Sequence, residues 1–315
     1  MLNDWFYSHS VWAVAGLICS VLIAVSLVGL HFFTRLVDWQ KREHDTSMIG
    51  LSYALCGGIY AVVLAFMAVG TYEAMEKTTA IASAEADSLG SISFDSAGLP
   101  AELGEKVRED VDAYIDIVTK KEWKSQQKYE MDEKNFAEGW KQATKINADL
   151  ANFEPATQGQ ATIKVDIMHV VNDLFASRRA RILAANSHLP DAVWQMLVVG
   201  LLLVVFYVYL FGPHKYWIHV AVTSFTMLTI GLVFTLVVSL DYPFRGDLSV
   251  DDESFVGVKE VAEKAFPHAE GAEHGKEGAA EHGKEGAGEK GKAAEHAPEH
   301  PAEHKEKEAE AKEKK

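Results

Sequence analysis

The stretch VWAVAGLICSVLIAVSLVGLHFF, residues 11–33, contains no Asp, Glu, Lys or Arg, and its reading decides the fold. As a helix rising about 1.5 Å per residue it is long enough to cross a hydrocarbon core of roughly 30 Å. A cleaved signal peptide is the competing reading, but it needs a basic start and an apolar run of about 7–15 residues. The chain opens MLNDWFYSHS, with no Lys or Arg ahead of a longer run. Three further blocks, 48–72, 192–213 and 216–240, are equally uncharged, so four spans are expected. Aromatic residues mark their ends, where rings favour the headgroup zone: Trp5, Phe6, Trp12, Phe32, Phe33, Tyr72, Trp194, Tyr207, Tyr209 and Trp217.

Working outward, the 315 residues carry a formal charge of -15 with a pI near 5.3. No cationic face for nucleic acid is available, and binding of that kind is excluded. The two cysteines, Cys19 and Cys56, each sit inside an apolar block, which rules out a disulfide framework and a cysteine-built zinc site. Between spans, small residues recur at i, i+4: Gly16, Ser20 and Ala24 in the first, Gly57, Ala61 and Ala65 in the second, and Gly231, Thr235 and Ser239 in the fourth, with Thr226 and Thr229 nearby. Lipid removes the hydrophobic drive for helix association, so these faces read as packing seams. A hydroxyl-lined path for ions or water is the functional alternative.

Residues 73–190 hold 20 acidic and 14 basic side chains and, before Pro190, two prolines, Pro100 and Pro155. Helix is expected throughout. One apolar stripe runs Leu103, Val107, Val111, Tyr114, Val118, a second Ile163, Ile167, Val170, Leu174, and a weaker third Ile81, Ser88, Ile92. With no proline or glycine between Tyr72 and the stripe that starts at Ile81, the second span continues out of the lipid, and an antiparallel bundle of three or four helices follows. A short helix through Phe255, Val258 and Val261 is expected after the last span. The resulting division is 1–72 for the first two spans, 73–191 for the bundle, 192–240 for the last two spans, 241–266 for a post-membrane segment, and 267–315 for a disordered tail.

Candidate functional residues are sparse. Glu122-Trp123 could couple a carboxylate to a gate, or simply end an amphipathic helix. Arg178, Arg179 and Arg181 precede the third span and could hold anions, lipid headgroups or acidic partners within the bundle. His169 and His188 lack a partner at ligand spacing. Asp241 ends the last span and is expected to be hydrated or paired, Arg245 being one candidate partner, because an unpaired carboxylate in lipid costs at least about 2.5 kcal/mol. Pro243 then blocks further helix. The tail repeats AEHGKEGA at 272–279 and 280–287 and carries His268, His274, His282, His296, His300 and His304. A solvated low-complexity tail is the plain reading, and loose binding of transition metals by these imidazoles the alternative. No catalytic motif is present, so neither an enzyme nor a bound cofactor is expected.

Orientation is pulled two ways. Arg35, Lys41, Arg42 and Lys215 lie in the short connections, which by the positive-inside rule places the bundle outside; Arg178, Arg179 and Arg181 pull weakly the other way.

The ordered residues resemble the bestrophin-like family of bacterial membrane proteins. The resemblance rests on Tyr60-Ala-Val-Val-Leu-Ala-Phe66, Glu85-Ala86, Tyr114, Glu122-Trp123, Arg178-Arg179-Ala-Arg181, Leu189-Pro190 with Trp194, and Leu240-Asp-Tyr-Pro-Phe-Arg-Gly246, in that order across residues 53–255. Lys124 stands where proline is commoner in the family. The resemblance implies an all-α multi-pass protein of a bacterial inner membrane, similar to bestrophins, which are pentameric anion channels with four spans per subunit and cytosolic helices. It further implies a homo-oligomer, ion transport with the Tyr60 to Phe66 face along the path, and a cytoplasmic bundle. A non-conducting membrane sensor or scaffold, whose bundle binds a protein partner, is the reading from a different class.

Overall fold

The computed structural model describes residues 6–37, 46–210 and 215–267. Trp5, Lys41, Arg42, Pro213 and the tail histidines from His268 to His304 lie outside the described residues. Nine helices are named here: α1 (Val11–Leu36), α2 (Thr46–Asp95), α3 (Ala101–Ile117), α4 (Trp123–Gln127), α5 (Glu133–Asn152), α6 (Gln158–Ala185), α7 (Asp191–Leu210), α8 (Tyr216–Leu240) and α9 (Glu253–Ala265). No strand occurs among the described residues.

Four of these helices, α1, α2, α7 and α8, are long and apolar enough to cross a membrane. α2 is a single rod of 50 residues, which at about 1.5 Å per residue runs some 75 Å and links the spans rigidly to the bundle. The helix starts are set locally. Ser10 caps α1 by accepting Ala13 N, Asp132 caps α5 through Lys134 N, and Thr157 caps α6 through Gln160 N. Pro100 precedes α3, and Pro190 precedes α7.

Among the spans, α1 lies against α8, and α2 against α7 and α8. Gly231 of α8 lets α1 approach so closely that a Cβ there would stand 2.8 Å from Cys19 Sγ. The buried face of α1 is therefore Val14, Ala15, Cys19, Ser26 and Leu30. This corrects the expected seam, because Gly16, Ser20 and Ala24 are exposed. Small-residue spacing identifies a face able to pack but not whether this chain fills it. Thr226 and Thr229 return their hydroxyls to Val222 O and Phe225 O of the preceding turn.

The bundle core is contributed by Ala82, Ala86, Leu89 and Ile92 of α2, Val107, Val111, Tyr114 and Ile115 of α3, Ala143, Ile146 and Leu150 of α5, and Ile167, Val171 and Leu174 of α6. The stripe through α3 falls as read. On α9 the inner face is Phe255, Val258 and Ala262, while Val261 is exposed. Six residues past Phe255 is a turn of about 600°, which puts Val261 on the far side.

Candidate functional site

The α3–α4 rod changes pitch at Val118–Glu122, a π-helical turn in which Trp123 N bonds back to Val118 O. One residue is taken up there, and the turn carries Val118, Glu122, Trp123 and Gln126 into the core together. Opposite stand Arg178 and Arg181 on α6 and Glu85 on α2. All four charged side chains are fully buried.

Arg178 donates from Nη2 to Glu122 Oε1 at 2.6 Å and to Phe136 O at 3.0 Å, and from Nη1 to Glu122 Oε2 at 3.1 Å and Tyr114 OH at 2.8 Å. Arg181 forks onto Glu85, Nε to Oε2 at 2.6 Å and Nη2 to Oε1 at 3.0 Å, and reaches Glu122 Oε2 at 2.9 Å and Gln126 Oε1 at 3.0 Å. Tyr114 OH donates to Glu85 Oε1 at 2.6 Å, which closes the ring of contacts. Aromatic faces seal it: Arg178 lies 4.8 Å from the Trp140 ring centroid, and Arg181 lies 5.8 Å from that of Trp123. Gly139 is required by this crowding, since a Cβ there would collide with Glu122 Oε1 and Arg178 Nη2.

Two cations and two carboxylates balance within this hub. Burial works against the charge on both arginines, but Tyr114 and Glu122 beside Arg178 and Glu85 beside Arg181 outweigh it and hold both guanidinium groups above their ordinary range. Burial first, then Glu85, push the Tyr114 hydroxyl well above its usual range, so it remains a donor. Arg178 Nε, Trp123 Nε1 and Gln126 Nε2 have no hydrogen-bond partner among the described residues. Desolvating four charges and leaving donors unused makes the hub a costly way to gain stability. Its yield is geometry, a fixed register of α2, α3–α4 and α6.

A second polar contact closes the bundle onto the spans. Asp241, at the end of α8, accepts Leu189 N on Oδ1 at 2.7 Å and Trp194 Nε1 on Oδ2 at 3.2 Å. The carboxylate is thus tied to the start of α7. Burial raises its pKa above the ordinary carboxylate range, partly offset by those two donors. Pro243 O then accepts Val250 N at 2.8 Å, and Gly246 turns with φ of 89°. This fold-back delivers Phe244 edge-on to Trp123 at 5.1 Å, with Phe255 at 5.7 Å on the same indole. His188 stacks on Tyr242 at 5.4 Å. Glu122, Trp123, Asp241, Pro243, Phe244 and Gly246 thus belong to one continuous junction.

The structure also redistributes the other predicted residues. Arg178 and Arg181 take the ion-pair alternative and offer no open cation to a passing anion, whereas Arg179 is exposed. Tyr60 is a buried clamp, donating its hydroxyl to Leu197 O at 3.1 Å and packing on Gly200, and it also lines the groove beside Gly57 and Ala61. Phe66 is exposed. Gly57, Ala61 and Ala65 line an open groove of about 360 Å³ with Tyr53, Thr226 and Thr229. His169 lies in a shallow surface groove beside Lys164. Among the described residues no group of three His, Cys, Asp or Glu stands as metal ligands would. Sequence reasoning passed over Glu85, Gln126 and Gly139 as site residues. The available signals were an acid set among Ala82, Ala86 and Leu89, and a glycine on the apolar face between Phe136 and Ala143.

Comparison with curated proteins and with solved structures returned no match. Residues 20–255, by contrast, match the bestrophin-like domain. That interval starts within α1, ends at Phe255 and takes in the hub, the Asp241 contact, the rest of α1 and the whole of α2, α7 and α8. The chain therefore belongs to the bestrophin-like family and is a membrane protein related to bestrophins.

Proposed function

We propose that the protein is an oligomeric anion channel of a bacterial inner membrane, with the α2 spans of several copies around a common path and the bundle on the cytoplasmic side. The observation that carries this reading is the state of α2 in a single chain. Its span is the least buried of the four. Ala61 and Ala65 stand exposed on the groove shared with Thr226 and Thr229. A small-residue face left open by its own chain suits close approach of a second helix. The apolar lining that such helices present suits a path gated by wetting. The hub then acts as the fixed footing of each α2. Neither catalysis nor a cofactor enters this proposal.

The test is anion flux from liposomes holding the purified full chain. Flux is expected, and Ala61→Trp or Gly57→Trp is expected to abolish it. Silence of the wild-type protein at every voltage and pH tried, in vesicles shown to contain it, contradicts conduction. One observation favours the sensor or scaffold reading instead: Glu85 and Glu122 neutralise two of the three arginines that would gather anions at a mouth. In that reading the junction transmits strain between bundle and spans, and a protein partner is recovered with the wild-type chain but not with hub variants.

A further inference from the structure

α6 descends to Ala185, and the chain enters α7 at Asp191, with Leu189 held by the Asp241 carboxylate at the end of α8. The last turns of α6 therefore lie at the membrane-facing end of the bundle. There a groove of about 270 Å³ is lined by Met131, Trp140, Arg179, Ile182, Leu183 and Asn186. Leu183 is 74% exposed. An isolated exposed leucine needs no explanation, but this one continues an apolar wall of Ile182, Met131 and Trp140. The wall is fixed, because Trp140 stacks on Phe175 at 6.0 Å and 10° and is backed by Arg178.

Arg179 sits in this wall, and no carboxylate is paired with it among the described residues, in contrast to its neighbours Arg178 and Arg181. Asn186 spends Oδ1 on the Tyr129 hydroxyl at 3.0 Å. Its amide N–H groups are left as donors toward the same groove. We propose that this groove binds an anionic phospholipid, its phosphate held by Arg179 and the Asn186 amide and its glycerol and upper acyl carbons lying on Leu183, Ile182 and Met131. The pairing of one cation with an apolar floor at the lipid edge selects a lipid over free phosphate, which has no use for the floor. This inference is independent of conduction, since a scaffold could hold the lipid equally well.

The test is native mass spectrometry of the full chain in neutral detergent, titrated separately with phosphatidylglycerol, phosphatidylcholine and inorganic phosphate. A phosphatidylglycerol adduct is expected to form in preference to phosphatidylcholine. Arg179→Gln is expected to weaken it about five-fold, the weight of one arginine at an anionic headgroup. Leu183→Asn should weaken phosphatidylglycerol binding while leaving inorganic phosphate unaffected. Arg179→Gln removes an exposed side chain, and its melting temperature should match the wild type. Equal phosphatidylglycerol affinity in Arg179→Gln overturns the proposal. So does displacement of the lipid by inorganic phosphate, which would make the site a phosphate site, or cross-linking of Arg179→Cys to a second copy with no lipid retained, which would make the groove an interface.

Discussion

The bundle and the spans use opposite strategies, although α2 runs through both. In the bundle, apolar stripes close on themselves and even four charges are buried with partners inside the same chain. In the spans, α1, α2, α7 and α8 touch along narrow seams and leave most of their apolar surface outward. Water forces the bundle to complete its own core. Lipid imposes no such demand, and the remaining faces are left for acyl chains or further copies. Substitutions should therefore separate the regions, with bundle variants changing unfolding and α2-face variants changing assembly.

The largest expected effect comes from breaking the hub. Arg181→Met strands Glu85 without its fork, and thermal or denaturant unfolding in detergent should lose about 3–5 kcal/mol. Pairing it with Glu85→Gln should recover a large part, because the unpaired charge, not the missing attraction, carries most of the cost. A double variant whose loss equals the sum of the losses in Arg181→Met and Glu85→Gln would show that the two sites are not coupled. Next, Trp194→Phe removes one donor from the Asp241 carboxylate and should cost about 1.5–3 kcal/mol. Gly139→Ala forces a methyl group against Glu122 and Arg178, whose ends are pinned by other bonds, for about 1–3 kcal/mol.

Smaller is the pH response of Asp241. Its pKa is raised in the folded chain, so the folded state favours the protonated form. The stabilisation is fully present below the ordinary carboxylate pKa and is lost as pH rises through the raised value. Melting temperatures of wild type and Asp241→Asn across the acid range should reveal this as a difference between their slopes, the wild type losing more stability as pH rises. Smallest of all, Ala61→Leu should leave unfolding of the bundle within about 0.5 kcal/mol, while disturbing assembly measured by light scattering.

What was legible in the sequence follows the same division. Uncharged blocks gave the four spans, since the absence of charge over such lengths has few other meanings. The stripe from Leu103 to Val118 gave the inner face of α3 because helical period is a local property. The hub was legible only in pieces. Arg181 and Glu85 lie 96 positions apart, and neither residue carries the other's address. The π turn that rotates Glu122 inward has no mark in Val-Thr-Lys-Lys-Glu. On α1 the spacing of Gly16, Ser20 and Ala24 indicated a seam, yet Ala15 and Cys19 make it, because Gly231 on α8 decides which side is approached.

The central claim is that the open α2 face is completed by further copies of this chain. Imaging of purified full-length particles in lipid nanodiscs tests it most directly. The account predicts a closed ring with Ala61 and Ala65 of each copy turned toward its neighbours. A field of single protomers, with that face against lipid alone, would contradict it.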